Sequence, residues 1–261
     1  MKYCRLQTSW GPQFAEVAER EKQLWIERLI PPFEEVPSAG YASRSFEPVP
    51  LASAPLLPPV VPSKIVCIGR NYREHAAELG NEIPAEPLLF LKAPSALLAP
   101  GGVIRIPALS QRVDFEGEIA IVIGKRCSHL GADEDVSQYI RGYTVVNDVT
   151  ARDLQKKDGQ WSRAKGFDTF CPVGPIVSDE VNPSSGLNVV TRLNGVERQS
   201  GNTRDFIFSI DRLLRYISAA MTLFPGDLIP TGTPAGVAPM QPGDLVEVTV
   251  EGIGTLANPV Q

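Results

Sequence analysis

Apolar residues in this chain recur mainly in short runs of strand length, not at helical spacing. KIVCIG (64–69), PLLFLKA (87–93), EIAIVIG (118–124), YTVVNDV (143–149), LNVVTRLNG (187–195) and DLVEVTVEG (244–252) each read as a strand. Their β-branched and aromatic side chains suit a pleated, half-buried surface. FSIDRLLRYISAAM (208–221) instead spaces its apolar residues at three- and four-residue steps, which predicts a helix. A shorter helix is expected over NYREHAAELG (71–80), with Asn71 as cap, Glu74 at the capping-box position and Gly80 closing the end. The PGD triplets at 225–227 and 242–244 mark turns. Residues 46–62, FEPVPLASAPLLPPVVP, carry Pro48, Pro50, Pro55, Pro58, Pro59 and Pro62. Each proline lacks an N–H and fixes φ, so this stretch excludes a helix or internal strand and reads as an extended connector. The pattern predicts an α+β, mainly β fold with mostly antiparallel pairing. Residues 1–62 would form a small N-terminal lobe and connector, and residues 63–261 the unit that carries the chemistry.

Composition narrows the function classes. With 261 residues, 43% of them hydrophobic, the chain can build one large core, or one core with a small appendage. A net charge of -5 argues against nucleic acid or an anionic membrane as partner. No apolar run is long enough to span a bilayer, and MKYCRLQTSWGPQFAEVAEREKQ lacks the apolar core of a secretory signal. Cys4, Cys67, Cys127 and Cys171 are scattered with no CxxC pair, so reduced thiols and a cytoplasmic location are expected. His75 and His129 are the only histidines, which disfavours a His/Cys zinc site. A metal here would be held by oxygen, and that favours Mg²⁺, Mn²⁺ or Ca²⁺.

The run VDFEGEIAIVIG (113–124) gives that metal a place. Asp114, Glu116 and Glu118 alternate, so in a strand their carboxylates would crowd one face, where like charges repel. Residues i and i+2 lie about 6.8 Å apart along a strand, so two such carboxylates can lean onto one cation. Asp148, at the end of YTVVND, is the best third ligand; the competing reading is a solvated strand edge. His75 and Glu78, three residues apart on a helix, share a face, and the carboxylate can orient the imidazole as a general base. An ordinary exposed helix pair would look the same. Lys165, in GQWSRAKGFDTFCPVGP (159–175), could neutralise a developing enolate, or be a plain surface lysine. The loop IPTGTPAGV (229–237) could cradle a carboxylate through backbone N–H groups and threonine hydroxyls, or be a structural turn.

Taken together, KIVCIGRNYREHAAE, DFEGEIAIVIG, GYTVVNDVTARDLQ, GQWSRAKGFDTFCPVGP, LNGVERQSGNTRDFIF and MTLFPGDLIPTGTPAGV resemble the fumarylacetoacetate hydrolase family, in family order. The likeness covers roughly three-quarters of the chain, from Lys64 onward. It implies a mixed β-roll catalytic domain, a homodimer, and Mg²⁺ or Mn²⁺ on Glu116, Glu118 and Asp148, with Ca²⁺ as a substitute in crystals. It implies that Asp114 supports the ligands without joining them. The resemblance puts His75 and Glu78 on a mobile lid helix, Lys165 on the active-site lysine, and Arg152, Gln155 and Thr233 on substrate-contacting positions. The expected activity is hydrolysis of a C–C bond in a 2,4-dioxo acid, as in acylpyruvases, through a metal-bound enolate. The rivals are an oxaloacetate decarboxylase, or an isomerase or decarboxylase of 2-hydroxymuconate-type diacids in aromatic catabolism. A rival of another class is a non-catalytic protein in which the ion only knits the fold.

Overall fold

The computed structural model describes residues 1–32, 45–78, 80 and 82–261. The expected N-terminal lobe therefore falls partly, over residues 33–44, outside the described residues. The strand Ile65–Gly69 is buried at every position, as its unbroken apolar run requires. It pairs antiparallel with Leu88–Lys92 and parallel with Leu228–Pro230. Beyond Leu228–Pro230 come Gly117–Ile123, Ile140–Asn147 and Cys171–Ser178, joined in antiparallel register. The N-terminal strands Lys2–Thr8, Gly11–Arg20 and Gln23–Ile30 extend the same sheet, because Lys2 and Tyr3 pair with Ser178 and Val177. With Val49–Pro50 and Leu56–Leu57 of the proline-rich connector, which lie only at an edge or off the main path, and Leu97–Leu98 beside Cys171–Ser178, the sheet has twelve strands among the described residues. A second sheet of four antiparallel strands runs in the order Val196–Asn202, Asn188–Leu193, Leu245–Val250, Gly254–Pro259.

The strand Gly117–Ile123 lies between two cores. Ile119, Ala120 and Val122 pack with Val189, Val246 and Val248 of the four-stranded sheet. Ile121 and Ile123 pack with Leu213, Leu214 and Ile217 of the helix Ile210–Ala220. That burial on both sides explains why the run IAIVIG shows no polar alternation. The second sheet comes so close that a Cβ at Gly117 would lie 2.0 Å from Thr191 Oγ1, so only glycine fits there. Among the described residues, no helix is long and apolar enough to cross a membrane.

Two local expectations change. The 71–80 helix is a shorter element, Arg73–Glu78, with Gly80 at φ +67° donating its N–H to Ala77 O at 3.0 Å. Asn71 does not cap it: its side chain donates to Thr231 O at 2.8 Å and accepts from Phe208 N at 2.8 Å. A buried amide that ties two separate loops together satisfies more backbone than a cap would.

Candidate active site

The acidic run is not one continuous strand. It starts in the two-residue strand Val113–Asp114 and resumes at Gly117–Ile123. In the gap, Glu116 N donates to Asn147 Oδ1 at 2.9 Å and Asp148 N donates to Glu116 O at 2.8 Å. Those two bonds set Glu116 beside Asp148, and Glu118 joins them from the strand. Ligand-capable oxygens of the three carboxylates all lie within 4.8 Å of one another. Glu116, Glu118 and Asp148 are 4%, 2% and 1% exposed, which rules out a solvated strand edge. Asp114 turns away to Arg112, at 2.9 and 3.1 Å, and to Arg152 at 2.9 Å.

Cationic side chains brace two of the three acids. Lys165 Nζ donates to Glu116 Oε2 at 2.7 Å and to Asp148 Oδ2 at 2.6 Å. It is 2% exposed and lies 4.9 Å from the Phe90 ring centroid, so it is no surface lysine. Arg152 reaches Glu116 as well as Asp114, and its Nη1 donates to Gln155 Oε1 at 3.0 Å. Asp153 stands apart from this network, accepting from Ser110 Oγ at 2.6 Å and Gln111 N at 3.0 Å.

Burial tends to push the Glu116 carboxyl up, but Arg152, Lys165 and His75 outweigh it and hold it well below the usual carboxylate range. Glu118 goes the other way. Burial, and then the charges of Asp148 and Glu116, push its carboxyl well above that range, against Lys165 and a 2.7 Å hydrogen bond from Gly232 N. Glu118 is thus the one member of the cluster with no cationic side chain in contact among the described residues. Three hard oxygen donors, one of them strained by its like-charged neighbours, match what Mg²⁺ or Mn²⁺ requires, and the residues fit a divalent ion.

His75 is 4% exposed, and its Nδ1 lies 3.2 Å from Glu78 Oε2. The other Glu78 oxygen accepts the Gly236 N–H at 2.9 Å, which ties the short helix to the 229–237 loop. Gly236 has φ +103°, and a Cβ there would meet Arg198 O at 2.0 Å, so the loop needs glycine at this point. The Thr233 hydroxyl is already engaged: it donates to Gly117 O and accepts from Gln199 Nε2, both at 2.8 Å. Its proton is therefore spent on the protein, and Gln155, whose carbonyl oxygen faces Arg152, keeps its amide N–H groups for a ligand. A cavity of about 500 Å³ collects His75, Glu116, Glu118, Arg152, Gln155, Lys165 and Thr233 on one wall system, together with Phe90, Trp161, Arg70 and Lys156.

Lys92 escaped the sequence reading. It is 2% exposed, and its Nζ donates to Asp148 Oδ1 at 2.6 Å and Val149 O at 3.1 Å. The available signal was a lone lysine inside the apolar run PLLFLKA, since a buried ammonium demands a carboxylate. Lys92→Met should lower stability by about 1–3 kcal/mol, because Asp148 then keeps only Lys165. Chemical unfolding of the metal-free protein would show it, and an unchanged midpoint would mean that Lys165 alone suffices.

The Fumarylacetoacetate (FAA) hydrolase C-terminal family pattern matches residues 64–261. The crystal structure of 2-hydroxyhepta-2,4-diene-1,7-dioate isomerase from Mycobacterium marinum superposes with a TM-score of 0.86 at 44% identity, covering 100% of this chain and 98% of that one. Oxaloacetate tautomerase YisK of Bacillus subtilis is 38% identical over 273 residues, which is 99% of this chain and 89% of the relative. The 2,4-didehydro-3-deoxy-L-rhamnonate hydrolase of Sphingomonas sp. is 43% identical over 203 residues, 74% of this chain and 71% of the relative.

Proposed function

Since the chain belongs to the fumarylacetoacetate hydrolase family, whose members are enzymes, we propose that it is a divalent-metal-dependent C–C bond hydrolase acting on 2,4-dioxo acids. The observation that carries this reading is His75, backed by Glu78, on the same cavity wall as Glu116 and Glu118. A Mg²⁺ or Mn²⁺ ion held by Glu116, Glu118 and Asp148 would supply Lewis-acid polarisation of the substrate carbonyl and fix its orientation.

The chain's own residues do the rest. Glu78 holds the imidazole by Nδ1, leaving Nε2 to take a proton from water. The hydroxide equivalent adds to the carbonyl remote from the acid group, and the bond between that carbon and the central methylene breaks. Its electron pair passes to the methylene, giving a pyruvate enolate, which a proton then quenches; the other product is the carboxylic acid. Lys165 keeps its proton, since Asp148 and Glu116 outweigh the effect of burial, and its ammonium offsets the enolate charge. Gln155 donates to the substrate carboxylate from a position fixed by Arg152. The unit 63–261, the homodimer and the cytoplasmic location expected from the sequence belong to the same proposal.

A second reading draws on the Bacillus subtilis relative, which aligns over 99% of this chain. With no attack by water, His75 taking a proton from the methylene of oxaloacetate would tautomerise it, whereas loss of CO2 from the carboxylate on that methylene would leave a pyruvate enolate to be protonated. A screen with Mg²⁺ or Mn²⁺ against acetylpyruvate, fumarylpyruvate, oxaloacetate and a 2-hydroxymuconate-type diacid separates the two. The hydrolase reading expects pyruvate and a carboxylic acid from the acylpyruvates; conversion of oxaloacetate alone would replace it.

A further inference from the structure

We propose that Arg70 and Lys156 form a clamp for a second carboxylate, so that the cavity selects a dicarboxylic substrate over an acid with an apolar tail. This rests on reading the cavity as a 2-oxo acid site. Both residues line the same cavity as the carboxylate cluster. The other lysine and arginine side chains on its wall are committed: Arg152 to Asp114 and Glu116, Lys165 to Glu116 and Asp148. Among the described residues, Arg70 and Lys156 make no ion pair and no side-chain hydrogen bond. Two such cations on one cavity repel each other unless an anion lies between them.

The backbone adds to the case. Arg70 sits directly after the strand Ile65–Gly69 at φ +57°, a conformation that an L residue with a long side chain adopts at a cost. Lys156 follows Gln155 on the helix Arg152–Asp158, so the proposed substrate donor and the clamp share one rigid element. The stretch of wall contributed by Ile68, Phe90 and Trp161 is apolar, and the Phe90 and Trp161 rings meet edge to face at 5.1 Å. Gly69 makes room for it: a Cβ there would stand 3.1 Å from the Trp161 ring. The cavity thus offers a carboxylate cluster that fits a divalent ion, an apolar span and two free cations. These three elements match a 2-oxo acid head, a carbon spacer and a carboxylate tail, which a guanidinium can grip through two parallel hydrogen bonds.

The test compares 2-oxoglutarate with 2-oxovalerate, unreactive acids of equal chain length ending in a carboxylate and a methyl. Calorimetric binding is measured on the full chain with Mg²⁺, for wild type, Arg70→Gln and Lys156→Met. The wild type should prefer 2-oxoglutarate on the order of 10–100-fold, the worth of hydrogen bonds to a charged group. Each variant should cut that preference about tenfold while changing 2-oxovalerate affinity less than about threefold. No preference in the wild type, or one that survives in both variants, overturns the clamp. Should Arg70→Gln fail to fold, Lys156→Met alone decides by the same criterion, since Lys156 is exposed. Turnover of acetylpyruvate and fumarylpyruvate reports separately on the hydrolase reading. If neither is cleaved while the binding preference holds, the hydrolase falls and the clamp stands.

Discussion

His75→Ala should lower kcat/KM for an acylpyruvate on the order of 10²–10⁴-fold, the usual contribution of a positioned general base. The fold should survive it. His75 belongs to a helix of only six residues, and that helix remains tied to the 229–237 loop through Glu78 and Gly236 N. Glu78→Gln gives the matching control. A glutamine can still accept the Gly236 N–H, but it no longer presents a charge to Nδ1. The loss should therefore be smaller than for His75→Ala and confined mostly to kcat. Steady-state release of pyruvate in saturating Mg²⁺ measures both. Unimpaired turnover by His75→Ala would remove the base from the mechanism and leave His75 as a structural side chain.

Glu118→Ala should separate activity from stability. Glu118 is crowded by Asp148 and Glu116, and among the described residues it has no cationic side chain in contact. Removing it relieves that repulsion, and this offsets the lost hydrogen bond from Gly232 N. The unfolding midpoint of the metal-free protein should change little. Lys165, Arg152 and Lys92 remain bound to Glu116 and Asp148, so the rest of the cluster keeps its shape. Turnover should nevertheless fall about 10³-fold or more, because the proposed metal ion, which would supply several kcal/mol of polarisation, loses one of its three holders. A large drop in stability with ordinary activity would reverse the assignment and make Glu118 a fold element.

The central strands were legible because runs such as KIVCIG and EIAIVIG are buried on both sides and so carry no polar positions. The acid run could be read for a related reason: three alternate carboxylates beside such a strand need compensation, and the cluster of Glu116, Glu118 and Asp148 follows from that need. Sequence reasoning treated Asp114 as part of the same face. The break between Asp114 and Gly117 sends it to Arg112 and Arg152, and no alternation rule foretells such a break.

Other elements were hidden by their chemistry. Cys171–Ser178 is buried throughout, but Pro172 and Pro175 mask it as a loop. The N-terminal strands carry Glu16, Arg20, Glu27 and Arg28, whose cross-strand ion pairs make a charged stretch viable as sheet. Thr233 was expected at the substrate, and it does line the cavity, yet its hydroxyl serves Gly117 and Gln199. Lys92, Arg70 and Lys156 come from three separate segments, and only folding shows which of them find carboxylates and which do not.

The most direct test is a calorimetric titration of Mn²⁺ into chelator-treated protein, run on wild type and Glu118→Ala side by side. The wild type should take up one ion per chain, and the variant should show no measurable uptake at the same concentrations. Equal binding by both, or none by the wild type, would mean that these carboxylates do not hold the metal.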